Sequence, residues 1–280
     1  MIIAVVLAAA VLHAGWNAVV KASPDRMVTM ARSSLLGVVI LLAGVWWVAQ
    51  PAAASWPWLV ASVVVHVFYN LGLAAAYRLG DFNQTYPLAR GIAPIVVAVV
   101  AVVWLHEPLP APRAAGVALV AGAVAVLGLT PWRQVRRNRP AVVIAVLTGV
   151  AIASYTLVDG VGVRRSGSAA GYTLWLVGLE CLATVAAVAL VRRRVREDTA
   201  RTGRARAWAA AGAVAVMSTL AYGLVLFAQT RGALAAVAAL RESSVVVAAV
   251  IGLLVFREPL GRVRTAASVA IAVGVALLAV

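Results

Sequence analysis

Ten long apolar stretches run along the chain, each about the length that a helix needs to cross a bilayer. They are continuously apolar rather than alternating, which favours helices over the strands of a membrane barrel. The pattern predicts an all-α integral membrane protein with ten transmembrane helices, at residues 2–20, 30–49, 57–77, 84–105, 112–130, 141–161, 170–191, 208–228, 233–256 and 263–280.

Composition excludes a water-soluble domain. Of the 280 residues, 64% are hydrophobic and 12% are charged, and the mean hydropathy is +1.00. Soluble domains carry about 25% charged residues, so this chain has about half of the usual water-facing charge. The single cysteine, Cys181, allows no disulfide within the chain.

The net charge of +15 would suggest a nucleic-acid partner for a soluble protein, but here the basic residues lie between apolar stretches. Of the 24 Lys and Arg residues, 18 follow predicted helices one, three, five, seven and nine, and four follow the others. Cytoplasmic loops collect Lys and Arg, so both termini are expected outside the cytoplasm. We therefore expect a multi-pass protein of the bacterial inner membrane that does not bind nucleic acid.

One segment of the sequence occurs twice. Residues 88–109 (LARGIAPIVVAVVAVVWLHEPL) align without a gap with residues 239–260 (ALRESSVVVAAVIGLLVFREPL). Each aligned pair, such as Arg90 and Arg241, is 151 residues apart. Predicted helix four thus repeats as helix nine, and an odd number of helices per copy makes the copies antiparallel. Inverted repeats are typical of secondary transporters, whose substrate site lies near the midplane between them.

These features resemble the drug/metabolite transporter superfamily, specifically its EamA type. The resemblance covers the whole chain in length and organisation and is carried by residues 86–109 and 239–260. It implies two inverted five-helix repeats, at 1–130 and 141–280, joined by a cytoplasmic linker at 131–140. It also implies alternating access for small metabolites, frequently amino acids and frequently for export. One departure is Pro94, because the matching position in helix nine is Val245.

Two predicted helices share the pattern His-x-x-aromatic-Asn, as HAGWN in helix one and HVFYN in helix three. This spacing places the three side chains on one helix face. Lipid cannot satisfy such groups, so we expect the faces to line a cavity or to bond neighbouring helices. The near-neutral pKa typical of histidine also suits the two histidines to proton coupling. The residues concerned are His13, Trp16, Asn17, His66, Tyr69 and Asn70.

Arg90 and Arg241 lie inside predicted helices, where a charge costs about 2.5–3.5 kcal/mol on insertion scales. A guanidinium matches a carboxylate or phosphate with paired donors, so Arg90 is predicted to hold an anionic group of a substrate. The alternative is a structural ion pair with Glu180 or Glu242, and for Arg241 this role is favoured. Glu180, at the centre of helix seven, is expected to be paired or to serve proton coupling.

Aromatic residues in several predicted helices can wall a pocket for an amphipathic substrate, although each one alone is more often simple packing. They are Trp16, Tyr69, Tyr86, Tyr155, Trp175 and Tyr222. In helix six, Asp159 follows Tyr155 by four residues. Lys21 and Asp159 fall at opposite membrane faces in the predicted topology, so no pairing between them is expected.

The sequence carries no Walker-type phosphate loop, no metal-spaced Cys and His set and no nucleophile elbow, so no enzyme activity is expected. We expect a secondary transporter of a small polar or amphipathic metabolite, amino-acid-like or an organic anion, working by export. No cofactor is expected, and uphill transport would use a proton or ion gradient. The expected partners are the small-molecule substrate and the lipid bilayer, and the protein is expected to be a monomer or a homodimer. The alternatives are uptake of an anionic metabolite and a non-transporting membrane scaffold or subunit.

Overall fold

The computed structural model of the chain describes residues 1–79, 82–130, 138–192, 204–257 and 261–279. Side chains are described within these ranges except at residues 27, 71–79, 82–87, 187–192 and 204. Most of the predicted linker at 131–140, the side chain of Tyr86 and the whole of Glu258 therefore lie outside the described residues.

Within these ranges, every regular element is helical. The first five helices correspond to the first five predicted stretches. They are α1 (Ile2–Ala22), α2 (Arg26–Gly44), α3 (Trp56–Leu79), α4 (Phe82–Val103) and α5 (Ala111–Leu129), with a short 3₁₀ turn at Ala53–Ser55 before α3. The second set is α6 (Arg139–Ser166), α7 (Ala169–Arg192), α8 (Arg204–Gln229), α9 (Leu234–Arg241), α10 (Ser244–Leu254) and α11 (Arg262–Leu278).

Local chemistry sets several of these helix ends. The Asp25 carboxylate accepts a hydrogen bond from the backbone N–H of Val28 at 2.9 Å and caps the start of α2. Asn138 caps α6 in the same way through the N–H of Ala141. At the other end of α6, Gly167 adopts a left-handed conformation with φ of 67°, which glycine accepts without a steric penalty.

The predicted ninth helix, at 233–256, is not continuous. It breaks after Arg241, and the chain makes two tight i→i−3 turns, in which the N–H of Glu242 and of Ser243 bond to the carbonyls of Ala239 and Leu240. A polar run, RESS, lies at this point within an otherwise apolar stretch. The Glu242 side chain at this break is buried in the protein interior, where it forms an ion pair. The single predicted helix is thus two helices, α9 and α10.

Helix packing joins the two sequence halves at several places. Helix α6 packs against α3 and α4, α1 packs against α8, α2 against α7, and α5 against α11. Small residues allow some backbones to approach closely. A Cβ at Gly91 of α4 would lie 2.6 Å from the backbone nitrogen of Ala125 in α5, and Gly116 of α5 faces Gly274 of α11 just as tightly.

The molecule has two ends, which lie about 30 Å apart along the 21-residue helix α1. At one end, which we name the Arg164 end, Ile2 lies beside Gly232, and the connection before α3 bonds to the end of α6. At the other end, named the Lys21 end, the Lys21 ammonium lies 4.5 Å from the centre of the Phe256 ring.

The two copies of the repeated segment end in the same backbone geometry. His106 and Arg257, which are aligned in the repeat, have φ of 53° and 54°, in a region that few non-glycine residues adopt. The residues just before them also match, because the N–H groups of Leu105 and Phe256 each reach a carbonyl five residues back. His106 lies next to Glu107 at the Arg164 end, and Arg257 follows Phe256 at the Lys21 end.

Six helical stretches of the described chain are long and apolar enough to cross a membrane. Large apolar side chains also remain exposed along many helices, among them Leu42, Leu147 and Leu220. An exposed apolar belt of this kind suits lipid rather than water.

Candidate functional site

A buried ion pair joins the two sequence halves near the centre of the bundle. Arg90 of α4 donates from Nε to the Glu242 carboxylate at 3.0 Å, and both side chains are only 5% exposed. The guanidinium Nη2 also reaches the hydroxyl of Ser244 at 3.4 Å. Both acceptors lie at the break between α9 and α10. The predicted anion-binding guanidinium thus already holds a carboxylate of its own chain.

A small cavity lies beside this pair, between helices of both halves. Its polar lining comes from Arg90, Thr156, Gln229, Arg241 and Glu242, and its apolar wall includes Pro94 and Val97. Gln229 is 1% exposed and donates from Nε2 to the Thr156 carbonyl, but its Oε1 meets no hydrogen-bond donor in the described part of the protein. A buried acceptor left unpaired is costly, so this oxygen marks a place for a bound donor.

Arg241 supplies a second guanidinium to the cavity. Its central carbon lies 5.4 Å from the centre of the Tyr222 ring, within the range of a cation–π contact. Across the described ranges, no carboxylate lies within ion-pair distance of it. The sequence favoured an ion pair for this residue, whereas the structure presents it to the cavity against an aromatic ring.

A cluster of aromatic rings surrounds His66 of α3. The imidazole is buried and stacks on Tyr155 of α6, with ring centres 4.0 Å apart, and meets the edges of Tyr69 and Tyr222. Its Nδ1 lies 2.9 Å from the carbonyl of Ser62, one helical turn earlier. The structure therefore brings together four of the predicted site residues from three helices.

Asp159 of α6 is fully buried below this cluster. One carboxylate oxygen accepts from the Tyr172 hydroxyl of α7 at 3.1 Å, and the other accepts from the Tyr222 hydroxyl of α8. Ser62 and His66 of α3 face the same carboxylate. Four helices thus converge on one acidic side chain.

The polar face of α1 lies near the two central arginines. His13 is within electrostatic range of Arg90 and Arg241, and its ring meets the edge of Trp16 at 5.2 Å. The Asn17 amide donates to the carbonyl of His13 at 2.7 Å, within its own helix. These three residues are half-buried, and α1 packs against α8, α9 and α10.

A hydrogen-bonded ion pair lies at the Arg164 end and connects several helix ends there. Arg164 donates to Glu107 at 2.5 Å and to the carbonyls of Gln229 and Gly232, both at 2.8 Å. The second Glu107 oxygen accepts from the N–H of Leu234 at 2.7 Å, at the start of α9. We name these contacts the Arg164 latch. They tie the α4–α5 and α8–α9 connections to the end of α6.

The described residues contain no group of three or more His, Cys, Asp or Glu side chains that is placed to hold a metal ion. What the site offers instead is a set of fixed charges and hydrogen-bonding groups around a small cavity. The cavity offers about 10 Å³ for the centre of a water-sized sphere, which is room for about one water molecule, so a larger solute requires it to widen.

A family model, described as the EamA-like transporter family, matches residues 139–280. This match spans half of the chain. The chain belongs to the EamA-like transporter family. It is accordingly a multi-pass membrane transporter of the drug/metabolite type.

The fold of this EamA-like transporter also occurs in solved structures, of which 27 chains match. One crystal structure aligns with 99% of this chain and 95% of its own, with a TM-score of 0.76 and 18% identity. At this identity the likeness concerns the fold alone. No curated protein sequence matches the chain.

Several residues that the sequence predicted for the site lie elsewhere in the transporter. Asn70 is exposed, because at about 100° per residue it points to the side of His66 opposite Tyr69. Trp175 packs on Trp56 and donates to the Gln50 side chain at 2.7 Å, in contact with the connection between α2 and α3. Glu180 is half-buried on α7, and none of the described residues forms an ion pair with it.

Three residues around the site were not predicted from the sequence as site residues: Asp159, Tyr172 and Gln229. Asp159 carried a signal, since an acidic residue deep in an apolar stretch is as unusual as Glu180. Tyr172 and Gln229 lie near the ends of their helices, where polar residues are ordinary, and only the packing of α6, α7 and α8 assigns them partners.

Proposed function

We propose that this EamA-like transporter is a secondary carrier that moves a small polar or amphipathic metabolite across the bacterial inner membrane by alternating access, in the direction of export. The substrate is amino-acid-like or an organic anion. The observation that carries the proposal is the central cavity, where the Arg241 guanidinium and the orphan Gln229 oxygen face the same space. An anionic group of the substrate suits the Arg241 guanidinium, and a hydrogen-bond donor of the substrate suits the Gln229 oxygen.

The proposed architecture is ten membrane-crossing segments in two inverted repeats, 1–130 and 141–280. It is supported by the matching left-handed turns at His106 and Arg257, which occur at opposite ends of the molecule. The helix pairs support it as well. Under the repeat, α1 corresponds to α6 and α3 to α8, so the α3–α6 and α1–α8 contacts are equivalent.

The proposed orientation places both termini and the Arg164 end outside the cytoplasm. It rests on the distribution of Lys and Arg between the connections. With this orientation, the Arg164 latch closes the external side of the carrier. The protein is taken to act without a cofactor and without enzymatic activity, as a monomer or homodimer.

Counterflow into proteoliposomes tests this function. Vesicles preloaded with alanine, glutamate, succinate or phosphate are diluted into the same radiolabelled solute, with and without a proton gradient. Saturable exchange of at least one solute is expected, and Arg241→Gln should raise its half-saturating concentration about tenfold if an anionic group is held there. Absence of exchange of every solute by folded protein would favour the non-transporting scaffold.

Direction separates export from the alternative of anionic uptake. Right-side-out and inside-out vesicles from cells that produce the transporter are compared for net movement of the solute found by counterflow. Export predicts accumulation in inside-out vesicles. Accumulation in right-side-out vesicles alone would support uptake instead.

A further inference from the structure

The strongest unassigned feature is the Asp159 carboxylate, which is buried without a paired cation. It is 0% exposed, and within the described chain no basic side chain forms an ion pair with it. Its bonded partners are the hydroxyls of Tyr172 and Tyr222. A buried acidic side chain is stabilised by a countercharge, by hydrogen bonds or by protonation, and hydroxyl partners are compatible with both protonation states.

The groups that face Asp159 come from three helices: α3 contributes Ser62 and His66, α7 contributes Tyr172, and α8 contributes Tyr222. Helix α9 packs on the adjacent Gly160 with the apolar side chain of Leu234. Of these neighbours, His66 is the titratable base that faces the carboxylate.

Tyr222 connects this carboxylate to the cavity. Its hydroxyl donates to Asp159, while its ring lies 5.4 Å from the guanidinium carbon of Arg241. Arg241 in turn lines the cavity at the end of α9, next to the helix break. One side chain of α8 therefore touches both the buried acid and the cavity cation.

We propose that Asp159 is the proton-coupling site of the carrier and that Tyr222 transmits its protonation state to Arg241. This inference rests on the proposed transport function. A proton taken up at Oδ2, by way of His66 and Ser62, converts the acceptor of the Tyr222 hydroxyl into a donor. The Tyr222 hydroxyl then accepts a hydrogen bond from the carboxylic acid and directs its own proton to another acceptor, which changes its contact with Arg241. When Asp159 releases the same proton, Tyr222 donates to it again, so one proton is bound and released per cycle.

Infrared difference spectroscopy tests proton binding without any transported solute. The purified carrier in lipid nanodiscs is titrated in H₂O and in D₂O between about pH 9 and about pH 5, a range in which carboxyl groups with altered environments exchange protons. We expect a carboxylic-acid C=O band that Asp159→Asn abolishes. The matched control is Glu180→Gln, which removes a half-buried carboxylate of α7 that forms no ion pair with the described residues and should keep the band. A titration in which wild type and Asp159→Asn are identical would overturn the proposal.

Tyr222→Phe keeps the proposal testable if Asp159→Asn does not fold. The substitution preserves the ring against Arg241 and removes one hydrogen bond from the carboxyl group. The C=O band should persist at an altered frequency. An unchanged band would show that it does not arise from Asp159.

Transport provides a second readout, in the proteoliposomes used for counterflow. We expect Asp159→Asn to lower the ratio of proton-driven uptake to counterflow at least tenfold, an effect of about 1.4 kcal/mol on coupling. Asp159→Glu should restore part of that ratio. An unchanged ratio in Asp159→Asn would overturn the coupling role. If no solute exchanges at all, the transport proposal fails while the infrared result still decides whether Asp159 binds a proton.

Discussion

Two buried carboxylates of this transporter differ in what faces them. Glu242 lies against the guanidinium of Arg90, whereas Asp159 lies against two tyrosine hydroxyls. In the pair of Glu242 and Arg90, loss of one charge leaves the other buried without that countercharge. At Asp159, one proton removes the only charge and leaves groups that can re-form hydrogen bonds. The Glu242 carboxylate is therefore fixed in an ion pair, whereas the Asp159 carboxylate can change its protonation state.

The largest effect should come from breaking the ion pair on one side. Glu242→Gln leaves Arg90 without its countercharge, and removing one partner of a buried pair costs about 3–5 kcal/mol. Unfolding in mixed micelles with increasing denaturant measures the loss. The double variant Arg90→Gln with Glu242→Gln is the control and should be more stable than Glu242→Gln alone. Equal stability of the single and double variants would contradict an ion pair between Arg90 and Glu242.

A smaller loss is expected from Asp159→Asn. The amide can still accept from one tyrosine hydroxyl and donate to the other, so the change costs about 1.5–3 kcal/mol, as for one hydrogen bond to a charged group. The same unfolding assay measures it. If the loss matched that of Glu242→Gln, Asp159 would have to hold a full countercharge, and the contrast between the two carboxylates would fail.

Removing a single hydroxyl should have an effect of similar size, but one that depends on pH. Tyr172→Phe and Tyr222→Phe each remove one hydrogen bond to Asp159. Such a bond contributes about 1.5–3 kcal/mol to a charged acceptor and about 0.5–1.5 kcal/mol to a neutral one. Stability measured at neutral and at acidic pH should show a smaller loss in acid. A loss independent of pH would indicate that Asp159 keeps one protonation state throughout.

The smallest effect is expected at Glu107, a third carboxylate that serves as a partly exposed reference. Its side chain is 13% exposed and that of its partner Arg164 is 34% exposed, so solvent screens the pair. Glu107→Gln should cost less than about 1 kcal/mol in unfolding free energy. A loss close to that of Glu242→Gln would show that exposure does not separate these carboxylates.

Much of the secondary structure could be predicted from the sequence, because a continuous apolar run of bilayer length has few alternatives to a helix. Each of the ten predicted stretches contains helix in the described residues, including α1 and α6 at nearly the predicted positions. The break at Glu242 was not predicted, although the polar run from Arg241 to Ser244 marked it. At the break Glu242 pairs with Arg90, 152 residues away, and no local pattern contains this partner.

The site was predicted only in part for the same reason. His66 and Tyr69 could be placed on an inward face from helical periodicity, and the structure confirms that they lie in one cluster. Periodicity placed Asn70 there too, although the helix turns it outward. Arg90 and Glu242 were each singled out, but their pairing depends on how α4 meets the α9–α10 junction. Asp159 gained its importance from Tyr172 and Tyr222, which lie on other helices.

The Arg164 latch also fixes an order of events during synthesis. Glu107 is made 57 residues before Arg164 and 127 residues before Leu234, whose N–H it accepts. Because a chain emerges from its N-terminus onward, the first five helices are complete before either of these partners exists. The bond that closes one end of the finished transporter forms only after α6 and α9 have been inserted with matching orientation. A nascent chain that inserts its second half the wrong way round cannot make this bond.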